Sequence, residues 1–477
     1  MLHYLPDLGE IQPPGPHRKI FGCDGFFPTN RGGMARSFGA TATAYTTAAS
    51  GIVTGAAIVS KSDGTHRFFA GSNLKIEEAD GAGAWTNRSS ATYTTSTGWS
   101  FAQFGDDTIA VNGVNNPQIS STGAFASLSG SPPVAKIAVV QSNIVLLFNI
   151  NDGTARPDWW ASSDQNDLRT WTAANTNYAD KDRLYGGVGG PITAATVWQE
   201  EVIAFKRNAM YAGRFTRDVD QPWNWRLVNP SIGCPSMFGH ILTEVGLVFV
   251  TERDVMLYDG GPPRSIADDV RKTLFASIGT NADSVQLSLD EPNNIIWIWF
   301  TRSGSSAIDA AYFWNWKTGR WGASITFGGK APSSTVRDAS YAAFSESPLS
   351  GGTNSAGIAN LIFDNSDAKL YNMRGDLTGA ATLTPWEQGN YAIDSRLNKT
   401  RAVFVPNNKP TAATLTITPY DAALVSGTAF ASTMQSDFSF GSAMSARYFG
   451  NVFSIAAGQN CELLDLIPEY PAAAGAR

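Results

Sequence analysis

The chain has 477 residues, a formal net charge of −6 and only 16% charged side chains, with 46 Gly, 26 Phe and 14 Trp. That length can bury a large core, and a weakly acidic chain with no Lys/Arg-rich run is not a dedicated polyanion binder. Sparse charge with abundant turn-formers and aromatics is the composition of an all-β protein.

Cys23, Cys234 and Cys461 are an odd, widely spaced set with no C-x-x-C, so they predict free buried thiols in a reducing cytosol rather than a disulfide framework or a zinc site. The four His stand apart from one another and from every Cys, which argues against a metal centre. The opening MLHYLPDLGEIQPPGP has neither a cationic nor an apolar leader region. No run approaches the ~18 apolar residues of a membrane span.

Residues 1–35 are rich in Pro and Gly, with PPGP at 13–16 and NRGGM at 30–34, and predict an extended arm without regular structure. From residue 36 a β plan begins and recurs. AAIVSKSDGTHRFFAGSNLKIEEADGAGAW (56–85), SFAQFGDDTIAVNGVNNPQISST (100–122) and KIAVVQSNIVLLFNINDG (136–153) each alternate apolar strands with polar turns. TAATVWQEEVIAFKRNAMYAGRF (193–215), HILTEVGLVFVTERDVMLYDGG (240–261) and VQLSLDEPNNIIWIWFTRSGSSAIDAAYFWNWKTGRWG (285–322) repeat it. SYAAFSES (340–347) with GIANLIFDNSDAKLYNM (357–373) is a less regular copy.

A three- to four-strand unit recurring about six to eight times, at roughly 40-residue spacing, predicts a β-propeller over residues 36–380. Stacked β-sandwiches are the competing architecture, and the repeat spacing favours the propeller. Residues 381–477 change to period-2 strands and predict a C-terminal β-sandwich-like domain. The best helical stretch is short, around Ile266 to Phe275.

No catalytic constellation emerges, and the chain reads as a non-enzyme with no catalytic, cofactor-binding or metal-binding residues and no cofactor. Ser162-Ser163-Asp164-Gln165-Asn166-Asp167 with Trp171 resembles the Asp-box turn of sialidase propellers, with Asn166 where Gly is usual, and reads as a turn capped by its own side chains. The adjacent carboxylates Glu77-Glu78, Asp106-Asp107, Glu200-Glu201 and Asp268-Asp269 cannot form a glycosidase dyad by themselves, because neighbours on a strand face opposite ways. They read as solvated turn charges. Gly186 to Gly190 precede a strand and read as a connection, not a phosphate cradle. The pairs Trp159/Trp160 and Trp297/Trp299 and the trio Trp314/Trp316/Trp321 could make a sugar platform but read as packing between blades.

The run from Trp160 to Trp171, then Gly190 to Tyr211, Ile232-Gly233-Cys234-Pro235-Ser236, Asp254 to Ile266 and Phe313 to Trp321 occurs in a definite order. Together with Ala446-Arg447-Tyr448, Ile455 to Gly458 and the closing Gly475-Ala476-Arg477, it resembles the tail nozzle, or packaged-DNA stabilisation, proteins of short-tailed bacteriophages, also called tail tubular protein B. The resemblance covers residues 155–477. It implies a virion structural protein, made in the host cytoplasm, that forms a homohexameric ring below the portal and its adaptor (head-completion) protein. The ring would extend or close the DNA exit channel and retain packaged DNA until ejection. Its implied partners are portal, adaptor, tail fibre or spike, and double-stranded DNA passing without sequence-specific contact. The alternative reading is a receptor- or glycan-binding tail protein or a propeller glycosidase.

Overall fold

The computed structural model describes residues 20–469 apart from 46–48, 95–97, 187–188, 326, 328, 339–359, 377–380, 390–394, 422–425, 447 and 457. Among the described residues the elements are strands, save one α-helix (Arg271–Ile278) and two single 3-10 turns (Ala282–Ser284, Glu291–Asn293). Strand sequence follows burial. Ile144–Asn151 (IVLLFNIN) is covered on both faces and is apolar at every one of its first five positions. Ala413–Tyr420 (ATLTITPY) buries alternate residues, as a strand with one covered face must.

Six antiparallel four-stranded meanders follow one another at residues 53–87, 100–127, 134–183, 192–229, 240–265 and 286–324. A seventh comprises Pro332–Asp338, Leu361–Asp364 and Leu370–Asp376, and its fourth strand is Phe38–Ala42 from the other end of the sequence, with Tyr371 opposite Ala42. The first strands of the units are neighbours. Val53–Ser60 touches Ser100–Phe104, which touches Val134–Gln141, which touches Ile192–Trp198. Units four and five share a core in which the Phe205 and Phe249 rings lie 4.9 Å apart. Gln286–Asp290 touches both His240–Thr243 and Pro332–Asp338. Val336, Arg337 and Asp338 then stand opposite Ala56, Ala57 and Ile58 in a parallel ladder, so the last unit is bonded to the first. The succession is propeller-like, as the repeat spacing predicts.

After the seventh unit the chain forms two sheets around one core. Ile20–Asp24, Ala381–Gly389, Tyr448–Ile455, Ala413–Tyr420 and Phe430–Thr433 make the first sheet. In the second, Phe26–Pro28 extends the sixth unit beyond Trp321–Ser324 and leads through Met34–Arg36 to Glu462–Glu469, Ser395–Phe404 and Ser439–Ala446. Phe26, Leu383, Leu415, Phe453, Leu397, Phe440 and Leu463 are buried together in this core, which continues into units five and six.

Three expectations need correction or restriction. The predicted N-terminal arm is largely strand where it is described: Ile20–Asp24, Phe26–Pro28 and Met34–Arg36 are built into the C-terminal sheets. NRGGM makes the hairpin turn there, with Gly32 N–H donating to the Thr29 carbonyl, and Phe26 and Phe27 are buried strand residues. The helix starts later than predicted, because Ile266 N–H still bonds the Val255 carbonyl and Ala267 supplies the first helical acceptor, for Arg271 N–H. PPGP, SYAAFSES and the closing Gly-Ala-Arg lie outside the described residues.

Candidate functional site

A series of polar contacts bridges the joints between units. Ser62 N–H donates to Asp106 (2.8 Å), and Arg67 Nη1 to Ser120 Oγ (3.0 Å), joining units one and two. Ser100 Oγ accepts Ala138 N–H at 3.2 Å between two and three. Asn149 Nδ2 reaches the Ile192 carbonyl at 3.0 Å between three and four. Cys234 N–H bonds the Lys206 carbonyl (3.1 Å), and Leu287 N–H bonds the Phe238 carbonyl (2.9 Å). Gln286 clamps the next joint with both ends of its amide, donating to Ser333 O (3.0 Å) and accepting Thr335 N–H (2.8 Å). Arg337 in unit seven donates to the carbonyls of Phe238 (3.1 Å) and His240 (2.7 Å) beside unit five. All but the Arg67–Ser120 bond satisfy a backbone group at a joint.

Electrostatics within the fold is likewise bound up with its architecture. Glu78, on the strand Ile76–Ala79, accepts Arg67 Nε at 2.6 Å and Arg88 Nε at 2.6 Å, while Glu77 takes Ser50 N–H at 2.6 Å. Both glutamates are buried, which corrects the solvated-turn reading for this pair: a strand, not a turn, carries them, and local sequence does not reveal the two arginines. The two carboxylates serve different partners, as neighbours on a strand facing opposite ways do. Asp106 and Glu200 do lie at hairpin turns, with Glu200 paired to Arg214 in solvent. Asp367 is pushed up by burial, yet hydrogen bonds from Lys330 (2.7 Å) and Tyr371 (2.7 Å) bring it down to about 2.

His240 is 95% hidden, and burial, aided by the Arg337 charge, drives its pKa well below the ordinary value. Burial likewise pushes the thiols of Cys23, Cys234 and Cys461 up to about 12, and all three are free, as predicted. Burial lowers Lys206, whose Nζ donates to the Leu184 carbonyl at 3.0 Å.

The Asp-box-like segment is a turn. Asp164 Oδ1 accepts Gln165 and Tyr178 N–H at 2.7 and 2.9 Å, Trp171 Nε1 donates to Leu168 O at 2.8 Å, and Asn166 takes the left-handed φ of 60° that Gly would provide. The tryptophans are packing elements. Trp160, Trp297, Trp299, Trp314 and Trp321 are buried, and the Trp297 and Trp299 rings stack at 5.0 Å. Trp316 instead donates to Glu244 (2.8 Å), linking the turns of units six and five.

A cavity of about 380 Å³ lies where the hairpin Phe26–Arg36, the turn at Asn293 and the C-terminal sheets meet. Thr29, Arg31, Asn293, Asn408 and Glu462 line it, and Thr29 Oγ1 donates to Glu462 at 2.8 Å. Among the described residues no group of three or more His, Cys, Asp or Glu could hold a metal, and no helix is long and apolar enough to cross a membrane.

No protein-family model matches the sequence, and no curated protein is similar to it. Among solved structures, YCF48 bound to D1 peptide is 12% identical, with 71% of this chain and 96% of that one covered at a TM-score of 0.40. The computationally designed Ika8 protein is 9% identical, covering 65% and 80% at 0.36. PorZ, a surface component of the type-IX secretion system of Porphyromonas gingivalis, is 10% identical, covering 74% and 44% at 0.36. Likenesses this distant say nothing about activity.

Proposed function

We propose that the seven units form a closed β-propeller with a sandwich-like C-terminal domain anchored at its sixth blade, and that the protein is a non-catalytic ring component of a short-tailed phage tail nozzle. The observation that carries this reading is where the residues of the phage resemblance go. Trp160 and Trp321 are core, Trp171 closes a turn, and Cys234 N–H bonds across a joint. Asp254 ties Arg271 at 2.8 Å, and Trp321 Nε1 reaches the Ile266 carbonyl at 3.1 Å. Side chains spent on fastening sheets suit a rigid wall. A net charge of −6 suits DNA transit, because few phosphate contacts form and little counterion release holds the duplex.

In this reading the subunits form a homohexamer against the adaptor and portal, with fibres or spikes outside. The test is solution mass by light scattering, alone and mixed with candidate portal and adaptor rings. Hexamers joined to those rings are expected; a chain that stays monomeric in both samples overturns the nozzle reading.

A further inference from the structure

The outermost strands of the units are unequal. Trp85–Asn87, Ala126–Ser127 and Arg264–Ser265 are only two or three residues long. Asp180–Arg183 reads DKDR, every residue charged, which defends an open edge against pairing. Trp321–Ser324 is covered by Phe26–Pro28. Trp223–Asn229 (WNWRLVN) is different: it ends its sheet, runs seven residues and carries no Lys, Pro or carboxylate. Its one charge, Arg226, is already tied to Glu201 (2.8 Å) and Tyr258 (3.0 Å). A second edge without charge or Pro, four residues long, ends the five-stranded C-terminal sheet at Phe430–Thr433 (FAST).

Eight large apolar side chains stand exposed among the described residues, and Leu227 and Phe430 are the two that lie on outermost strands, at 38% and 48% exposure. Beside Leu227 runs the loop of Tyr185, itself 65% exposed; a Cβ on Gly186 would sit 3.5 Å from the Leu227 side chain.

We infer that the edge Trp223–Asn229 of one copy takes up the strand Phe430–Thr433 of the next copy, with Leu227 and Tyr185 packed against the partner's Phe430. The two edges belong to different parts of the chain, so the contact is heterologous and leaves a second free edge on every copy. Such a contact closes into a ring when its rotation permits. Main-chain ladder bonds supply affinity, and the apolar contact sets the register. The partner is a second copy of this chain, so the inference rests on the ring reading above and assigns its interface.

The test uses the full chain in the two samples already named. Leu227→Lys and Phe430→Lys are each expected to lower the ring fraction at least tenfold while the melting temperature of the monomer stays put. A mixture of Leu227→Cys and Phe430→Cys chains is expected to form disulfide-linked dimers holding one of each. Rings that survive both lysine substitutions, or Leu227→Cys chains that cross-link only to one another, overturn the interface and leave the ring reading standing. A wild-type chain that never assembles overturns both.

Discussion

Val336 stands opposite Ala56 in a parallel ladder, joining the first strand of the last unit to the first strand of the first. The remaining named strand pairs are antiparallel, and this three-residue parallel ladder bonds the last unit to the first. Next to Ala56, Gly55 lies against Trp99: a Cβ there would fall 2.2 Å from the Trp99 carbonyl oxygen. Gly55 is held in a ladder opposite Gly71, and Trp99 is buried with its Nε1 bonded to the Ser72 carbonyl, so neither has room to give way. Gly55→Ala is therefore expected to destabilise by about 2 kcal/mol or more, read as a lower denaturant midpoint. An unchanged midpoint would show that the joint between units one and two is slack.

Buried and exposed ion pairs should separate clearly. Glu78→Ala strands Arg67, whose side chain is only 7% exposed, and is expected to cost about 3–5 kcal/mol. Glu200→Ala removes an exposed partner of Arg214 and should change stability by less than about 1 kcal/mol. Equal losses in urea unfolding would contradict the burial that distinguishes them.

Acid sensitivity should carry a contribution from His240. Its folded pKa is depressed, so the unfolded chain takes up a proton below its ordinary value, about 6.5, that the folded chain refuses. The stability associated with this group is intact above that pH and falls as pH drops below it, by at most about 1.4 kcal/mol per pH unit. The wild-type minus His240→Phe difference in unfolding free energy, followed from pH 7 to pH 5, should show that slope. A flat difference would mean His240 titrates normally.

Thiol chemistry provides a further check. With all three thiols pushed up to about 12, thiolate is scarce near pH 8. A disulfide reagent should label the folded chain slowly and the denatured chain at all three cysteines. Rapid labelling of the native protein would show an open thiol.

Tryptophan substitution separates packing from sugar binding. Trp297→Ala empties a site where the ring stacks on Trp299 and meets Phe313 edge-on at 4.5 Å. About 3–5 kcal/mol of destabilisation is expected. A stable Trp297→Ala protein that had lost glycan binding would favour the lectin alternative.

The strand-and-turn plan was legible because alternation and turn chemistry are local: the polar Ser62-Asp63-Gly64 between two apolar runs of the first unit is a turn, and Asn166 adopts the left-handed turn conformation its side chain tolerates. Free cysteines and packed tryptophans were likewise readable from composition and spacing. Long-range pairing was not. FGCDGFF and FGATA look like parts of an arm and a leading strand, and only the folded chain shows that they complete sheets begun some 300 residues later. Glu77 and Glu78 resemble surface charges until Arg67, Arg88 and Ser50 are brought around them. Local sequence determines a residue's own backbone preference and the face it presents. Which edge a strand completes, and which charge a buried carboxylate meets, depends on the desolvation and hydrogen bonding of groups distant in sequence, and tertiary structure alone brings them together.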